Sequence, residues 1–222
     1  MTEAAPAEGE EVRLLIGVCG SVSAVAVPHI LAWLPLSGFT GVVPRVVMTR
    51  RAAEIIGPGA IRPFTPHPVL TGWDDTGLAV PHVELARWAE VVLVLSATAN
   101  FLGKAANGIA DDLLTSVVLA AEVPVIAVPS TNGAMLAKPA VQRNIARLRE
   151  DGVDVVEPKA GLVVADQGRG TGSMGDFRPI VVRALAKAVA ARTPAPSAGG
   201  PPDGGPPDDG SPAKETTAHA HP

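Results

Sequence analysis

The sequence predicts a single α/β domain built on a doubly wound parallel sheet. Short β-branched runs alternate with helical patterns from residue 12 to residue 192, and such alternation places helices on both faces of a parallel sheet. The chain of 222 residues holds one good-sized domain but not two. Its hydrophobic content of 47% is enough for a core, and with aromatics at 3% and no tyrosine that core falls to Ala, Val, Leu and Ile.

The elements follow in order. Residues 13–18 read as a strand and 21–34 as a helix; 42–48 is a second strand and 50–56 a short helix. A Pro- and Gly-rich connection over 57–81 leaves room for one short irregular strand. Residues 83–88 form a turn or helical piece leading into a strand at 91–95. Helical patterns cover 99–106 and 113–121, a strand 123–128, a helix 139–151, a strand 153–156 and a closing helix 178–191. The ends read differently. Residues 1–11 carry charge without periodicity, and 193–222 are Pro, Gly, Ser and Asp, a composition that buries too little apolar area to offset its ordering entropy. The expected organisation is a disordered start, one domain over 12–192 and a disordered tail, whose final histidines are expected to be inert.

A net charge of −4 argues against a protein that grips nucleic acid, though not against one basic pocket for a small anion. The single cysteine, Cys19, excludes an intramolecular disulfide and a Cys-rich zinc site, and no metal site is expected. The acidic start lacks the texture of a secretory signal, and the apolar stretches are too short to span a bilayer. The expectation is a cytoplasmic protein with neither membrane nor nucleic-acid partner.

Ligands of such sheets bind outside the carboxyl ends of the strands. The loops there are small and polar: Gly17-Val-Cys-Gly20-Ser21-Val22-Ser23, then Thr49, then Ser96-Ala97-Thr98-Ala-Asn100, then Pro129-Ser130-Thr131-Asn132-Gly-Ala-Met135. The first suits an anion at a helix start, but it is neither the dinucleotide fingerprint nor a P-loop, and an ordinary serine cap reads equally well. Asn100 and Asn132 also read as a helix cap and a turn residue, and His82 as a solvated or structural histidine. From the residues alone, the reading stops at a phosphate-bearing ligand.

Taken together, these segments resemble the homo-oligomeric flavin-containing cysteine decarboxylases, Rossmann-like flavoproteins. They include phosphopantothenoylcysteine decarboxylase and the enzymes that decarboxylate a C-terminal peptidyl cysteine. The similarity covers about residues 12–190. Its strongest blocks are His82-Val-Glu-Leu-Ala-Arg-Trp-Ala-Glu90, Leu95-Ser-Ala-Thr-Ala-Asn100, Gly103-Lys-Ala-Ala-Asn-Gly-Ile-Ala-Asp-Asp-Leu-Leu-Thr115, and 129–135, which is similar to P-x-M-N-x-x-M. The resemblance implies FMN. It implies Gly20, Ser21, Val22 and Ser23 around the phosphate with Thr49 nearby, and Ser96, Ala97, Thr98, Asn100 and Ser130 against the flavin. It implies His82 as the active-site histidine, Asn132 on the substrate carboxylate and Met135 beside it. It also implies homo-trimers, often assembled into dodecamers, with FMN at subunit contacts.

A cysteine carboxylate loses CO2 once its Cβ–S unit is oxidised to a thioaldehyde, which supplies a β electron sink; the flavin takes the hydride. A thiol and an imidazole exchange a proton near neutral pH at modest cost, the role implied for His82. Two departures, Thr131 and Leu136, fall on the substrate side. A third is Val164, in Gly161-Leu-Val-Val-Ala-Asp-Gln-Gly-Arg-Gly170, at the position of a proton-donating cysteine in the coenzyme A enzyme. Valine has no proton to give, and nothing in the sequence places Asp166 or His29 near the thiol. The expected activity is therefore oxidative decarboxylation of the C-terminal cysteine of a precursor peptide to an aminoenethiol in ribosomal peptide biosynthesis. The alternatives are the coenzyme A decarboxylase and a non-catalytic regulatory relative; the His82 and Asn132 blocks point away from a flavin prenyltransferase.

Overall fold

Strand β1 (Val12–Val18) pairs in parallel with β2 (Val42–Met48) on one side and β3 (Val91–Ala97) on the other. Strands β4 (Val125–Pro129) and β5 (Asp154–Val155) continue the sheet, giving the order β2-β1-β3-β4-β5. The structure is a computed structural model and describes residues 11–36, 41–73, 76–163 and 168–192, without the side chains of 160–163 and 168–173. The expectations for residues 1–10 and 193–222, and for Val164 and Asp166, lie outside the described residues. The expected doubly wound sheet is the observed one.

Its central strands are apolar on both faces because both faces are covered. Leu14, Ile16 and Val18 of β1 and Val91, Leu93 and Leu95 of β3 face one core. It is completed by α1 (Val27–Leu36), α2 (Arg50–Ile55) and α8 (Arg178–Arg192), through residues such as Ile30, Ala52, Val181 and Leu185. Leu15, Val92 and Val94 face the other core, with α3 (Pro81–Trp88), α4 (Ala99–Ala106), α5 (Leu113–Ala120) and α7 (Pro139–Glu150). Val141, Ile145 and Leu148 form the buried stripe of α7 at helical spacing. Gly17 is where a helix closes on the sheet: a Cβ there would stand 2.5 Å from Leu114 of α5.

Several boundaries differ from expectation. The helix read over 21–34 is a 3₁₀ turn (Val22–Ala26) followed by α1. Pro28 explains the break, because proline lacks an N–H and sits comfortably only in a first turn. Strand β3 runs two residues past 95, and α3 opens at Pro81, a favoured first position. The irregular strand of the 57–81 connection shrinks to one residue, Leu70, bridging Val47 at the outer edge of β2; its N–H donates to the Val46 carbonyl and its carbonyl accepts from Met48. The elements not anticipated are two 3₁₀ turns (Pro58–Ala60 and Arg62–Phe64), α6 (Gly133–Leu136) and the antiparallel pair β6 (Lys159–Val163) and β7 (Gly168–Ser173). Strand β7 reads Gly-Arg-Gly-Thr-Gly-Ser, a composition of low strand propensity.

Candidate active site

From β1 the chain builds β2 on one side, then crosses to β3 on the other. This reversal is a topological switch point, and the crevice beyond the carboxyl ends of β1 and β3 is where such sheets take ligands. A cavity of about 960 Å³ opens there, lined by residues that follow β1, β2, β3 and β4, at the upper end of the size range of cofactor sites.

The wall brings together Gly20, Ser21, Val22, Ser23, Thr49, Thr98, Asn100, Ser130, Asn132 and Met135 of the expected residues. Three hydroxyls meet on it. Ser21 Oγ donates to Ser130 Oγ at 2.8 Å, Ser23 Oγ lies 2.7 Å from the same oxygen, and Ser21 Oγ accepts from Ser23 N–H. Ser130 is held by its own N–H, which donates to the Ala97 carbonyl at 2.8 Å. Thr49 and Thr98 cap α2 and α4, accepting from Ala52 and Phe101 N–H at 3.2 Å each. Asn132 caps α6: its Oδ1 accepts from Ala134 N–H at 2.8 Å. With that oxygen engaged, the Nδ2 amide is the end left to a ligand, and it only donates.

The lining carries more cations than carboxylates. Arg50, Arg51 and Lys104 line the cavity against one carboxylate, Asp112. Lys104 also holds Asp111 at 2.8 Å, and its hydrogen bond lowers the Asp111 carboxyl below its ordinary range; Arg51 does the same to Glu54. The three cations were not anticipated, although two follow Thr49 directly and Lys104 lies four positions after Asn100, on the same helix face. Asp112 does structural work as well, in a reciprocal capping box with Thr115.

Ser96, Ala97 and His82 are not on this wall. Ser96 and Ala97 are wholly buried behind it. His82 lies in the first turn of α3, its ring edge-on to Trp73 at 5.6 Å, with Nδ1 buried and, among the described residues, without a hydrogen-bond partner. His29 lies on α1, edge-on to Phe177 at 5.5 Å. Burial pushes the Cys19 thiol up to about 12, against a hydrogen bond from Thr98 N–H that lowers it, so Cys19 is no thiolate nucleophile. Among the described residues no His, Cys, Asp and Glu side chains gather as a metal site, and no helix is long and apolar enough to cross a membrane.

Residues 2–188 match the model of the family described as Flavoprotein. The chain belongs to that family. Its relatives include decarboxylases. A crystal structure of the FMN-dependent cysteine decarboxylase SpaF superposes with a TM-score of 0.70 at 51% identity, covering 80% of this chain and 97% of that one. The mersacidin decarboxylase of a Bacillus species is 40% identical over 146 residues, 66% of this chain and 73% of its own. Mouse phosphopantothenoylcysteine decarboxylase is 34% identical over 189 residues, 82% and 90% respectively. Against the longer Coenzyme A biosynthesis bifunctional protein CoaBC of Bacillus subtilis, the match spans only 30% of that protein. The expectation of FMN agrees with the family and these relatives. The cavity fits a flavin nucleotide: it is large enough, a cluster of three hydroxyls suits a phosphate, and the cations balance the charge.

Proposed function

We propose that this chain oxidatively decarboxylates the C-terminal cysteine of a precursor peptide to an aminoenethiol, with FMN in the cavity at the switch point. The observation that carries the reading is the pairing of Ser130 and Asn132, two residues apart on one wall. The first belongs to a hydroxyl cluster suited to a phosphate; the second offers a donor-only amide suited to a carboxylate.

In this reading Gly20, Ser21, Ser23, Thr49 and Ser130 hold the FMN phosphate, and Thr98 and Asn100 flank the flavin. FMN, when bound, supplies the oxidation of the Cβ–S unit that lets the carboxylate leave as CO2. Asn132 binds that carboxylate and orients the terminal residue, and Met135 shields it from water. His82 moves the thiol proton. Because His82 stands off the wall of its own cavity, it serves the cavity of a neighbouring copy, which is the purpose of the homo-trimer in this reading. Val164, outside the described residues, brings no proton for a reductive step, which supports release of the ene-thiol.

The match to the mouse phosphopantothenoylcysteine decarboxylase favours a second reading, in which the saturated thiol leaves. High-resolution mass spectrometry separates the two. A peptide ending in cysteine loses about 46 Da, CO2 plus two hydrogens, if the first holds. Turnover of phosphopantothenoylcysteine with a loss of about 44 Da, and none of the peptide, refutes it.

A further inference from the structure

Ser96 is wholly buried, yet its φ is +51°, in the left-handed region that disfavours any residue with a Cβ. Among the described residues it is the single non-glycine there. The turn falls where β3 leaves its ladder, since the β3–β4 register slips between Val94 and Ala97. It also meets β1. The Ser96 hydroxyl donates to the Cys19 carbonyl at 2.8 Å, and the Cys19 N–H donates to the Leu95 carbonyl at 3.2 Å. Two bonds thus clasp the buried residue that follows β1 to the end of β3. On either side of the clasp the chain emerges as cavity wall, at Gly20 and at Thr98. The carbonyl of Ala97, next to Ser96, fixes Ser130.

We propose that Ser96 is a positioning residue for the cofactor: its left-handed backbone and its hydroxyl hold the β1 and β3 loops in the register that sets Ser21, Ser23, Thr98 and Ser130 on a common wall. The inference rests on the cavity being the FMN site, and it adds that the shape of that site is set from behind by a residue off the wall. Strain of this kind persists only where the surroundings over-determine it. Here the over-determination is the bond to Cys19 and the register slip.

The test titrates full-length apoprotein with FMN by flavin fluorescence quenching, and separately melts the apoprotein. Ser96→Gly removes the hydroxyl but adopts the left-handed backbone freely; Ser96→Ala removes it and keeps the unfavourable backbone. Both are expected to bind FMN about tenfold more weakly than wild type, while Ser96→Gly melts above Ser96→Ala. If Ser96→Ala does not fold, Ser96→Gly alone carries the result. An FMN dissociation constant for Ser96→Gly within about twofold of wild type, whatever its melting temperature, overturns the proposal. Wild-type apoprotein that takes up no FMN overturns the reading of the cavity along with it.

Discussion

Gly20→Ala tests whether the first loop and α2 form one wall of the cavity. A Cβ at Gly20 would lie 2.3 Å from Arg51 Cγ, 2.6 Å from Arg51 Cβ and 3.1 Å from the Arg51 carbonyl carbon. Gly20 is not among the described glycines with positive φ, so alanine suits its backbone and stabilises by about 0.4–1 kcal/mol through the unfolded chain. Overpacking opposes this with about 1–3 kcal/mol. Cγ can swing aside, since Arg51 is largely exposed, but Cβ and the carbonyl carbon move only with the helix. The steric effect wins, by about 1 kcal/mol between the midpoints of the two ranges. The displaced helix carries Thr49 and Arg51 away from the serine cluster, so FMN affinity falls as well. Urea unfolding of the apoprotein reads the first effect and FMN titration the second. Arg51→Ala in the same chain removes only the 2.3 Å contact and recovers only part of both losses. It gives up an exposed ion pair with Glu54, which contributes about 0–1 kcal/mol. Unchanged stability and FMN affinity in Gly20→Ala, or full recovery in the double variant, would refute the reasoning.

Other outcomes follow from the same geometry. The Cys19 thiol, raised from 9.0 to about 12, holds its proton more tightly folded than unfolded. Its contribution to stability is therefore complete below pH 9 and lost as pH rises toward 12; urea unfolding should lose more stability between those limits in wild type than in Cys19→Ala, and equal losses would refute this. The native thiol should also resist a disulfide reagent at neutral pH and react once denaturant exposes it. His82→Asn should keep FMN, seen in the visible spectrum, but stop turnover, and full activity would remove the proton role. Asn132→Asp should raise KM for a peptide ending in cysteine more than it lowers kcat, because a carboxylate would face the substrate carboxylate.

The sheet was legible because its signal is local. Strands such as 91–95 are continuous apolar, valine-rich runs, and α7 shows its buried stripe at helical spacing. What was not legible has little pattern of its own to read. Strand β7 is glycine-rich and forms by pairing with β6 rather than by propensity. Helix α6 has four residues and owes its start to one side chain, Asn132. The break before α1 was readable in hindsight, since Pro28 carries it.

Legibility of the site divides along the same line. A loop at the carboxyl end of a strand must border the crevice, so Ser21, Thr49, Thr98 and Ser130 could be named from order along the chain, and all four line the cavity. Order along the chain does not say which way a residue faces. Ser96 stands only two residues before Thr98, but at φ +51° it lies near the end of β3, behind the wall. His82 illustrates a different limit. It belongs to the strongest family-like block of the sequence, yet α3 is anchored to β2 and to the 57–81 connection, with Trp88 under Arg45 of β2 at 4.5 Å and edge-on to His67, and Trp73 against His82. That anchoring fixes the histidine away from the chain's own cavity. A buried imidazole nitrogen without a partner among the described residues is costly to keep unless some further group satisfies it. The place of His82 off the wall and that nitrogen both fit the proposal that a second copy of the chain docks where α3 begins.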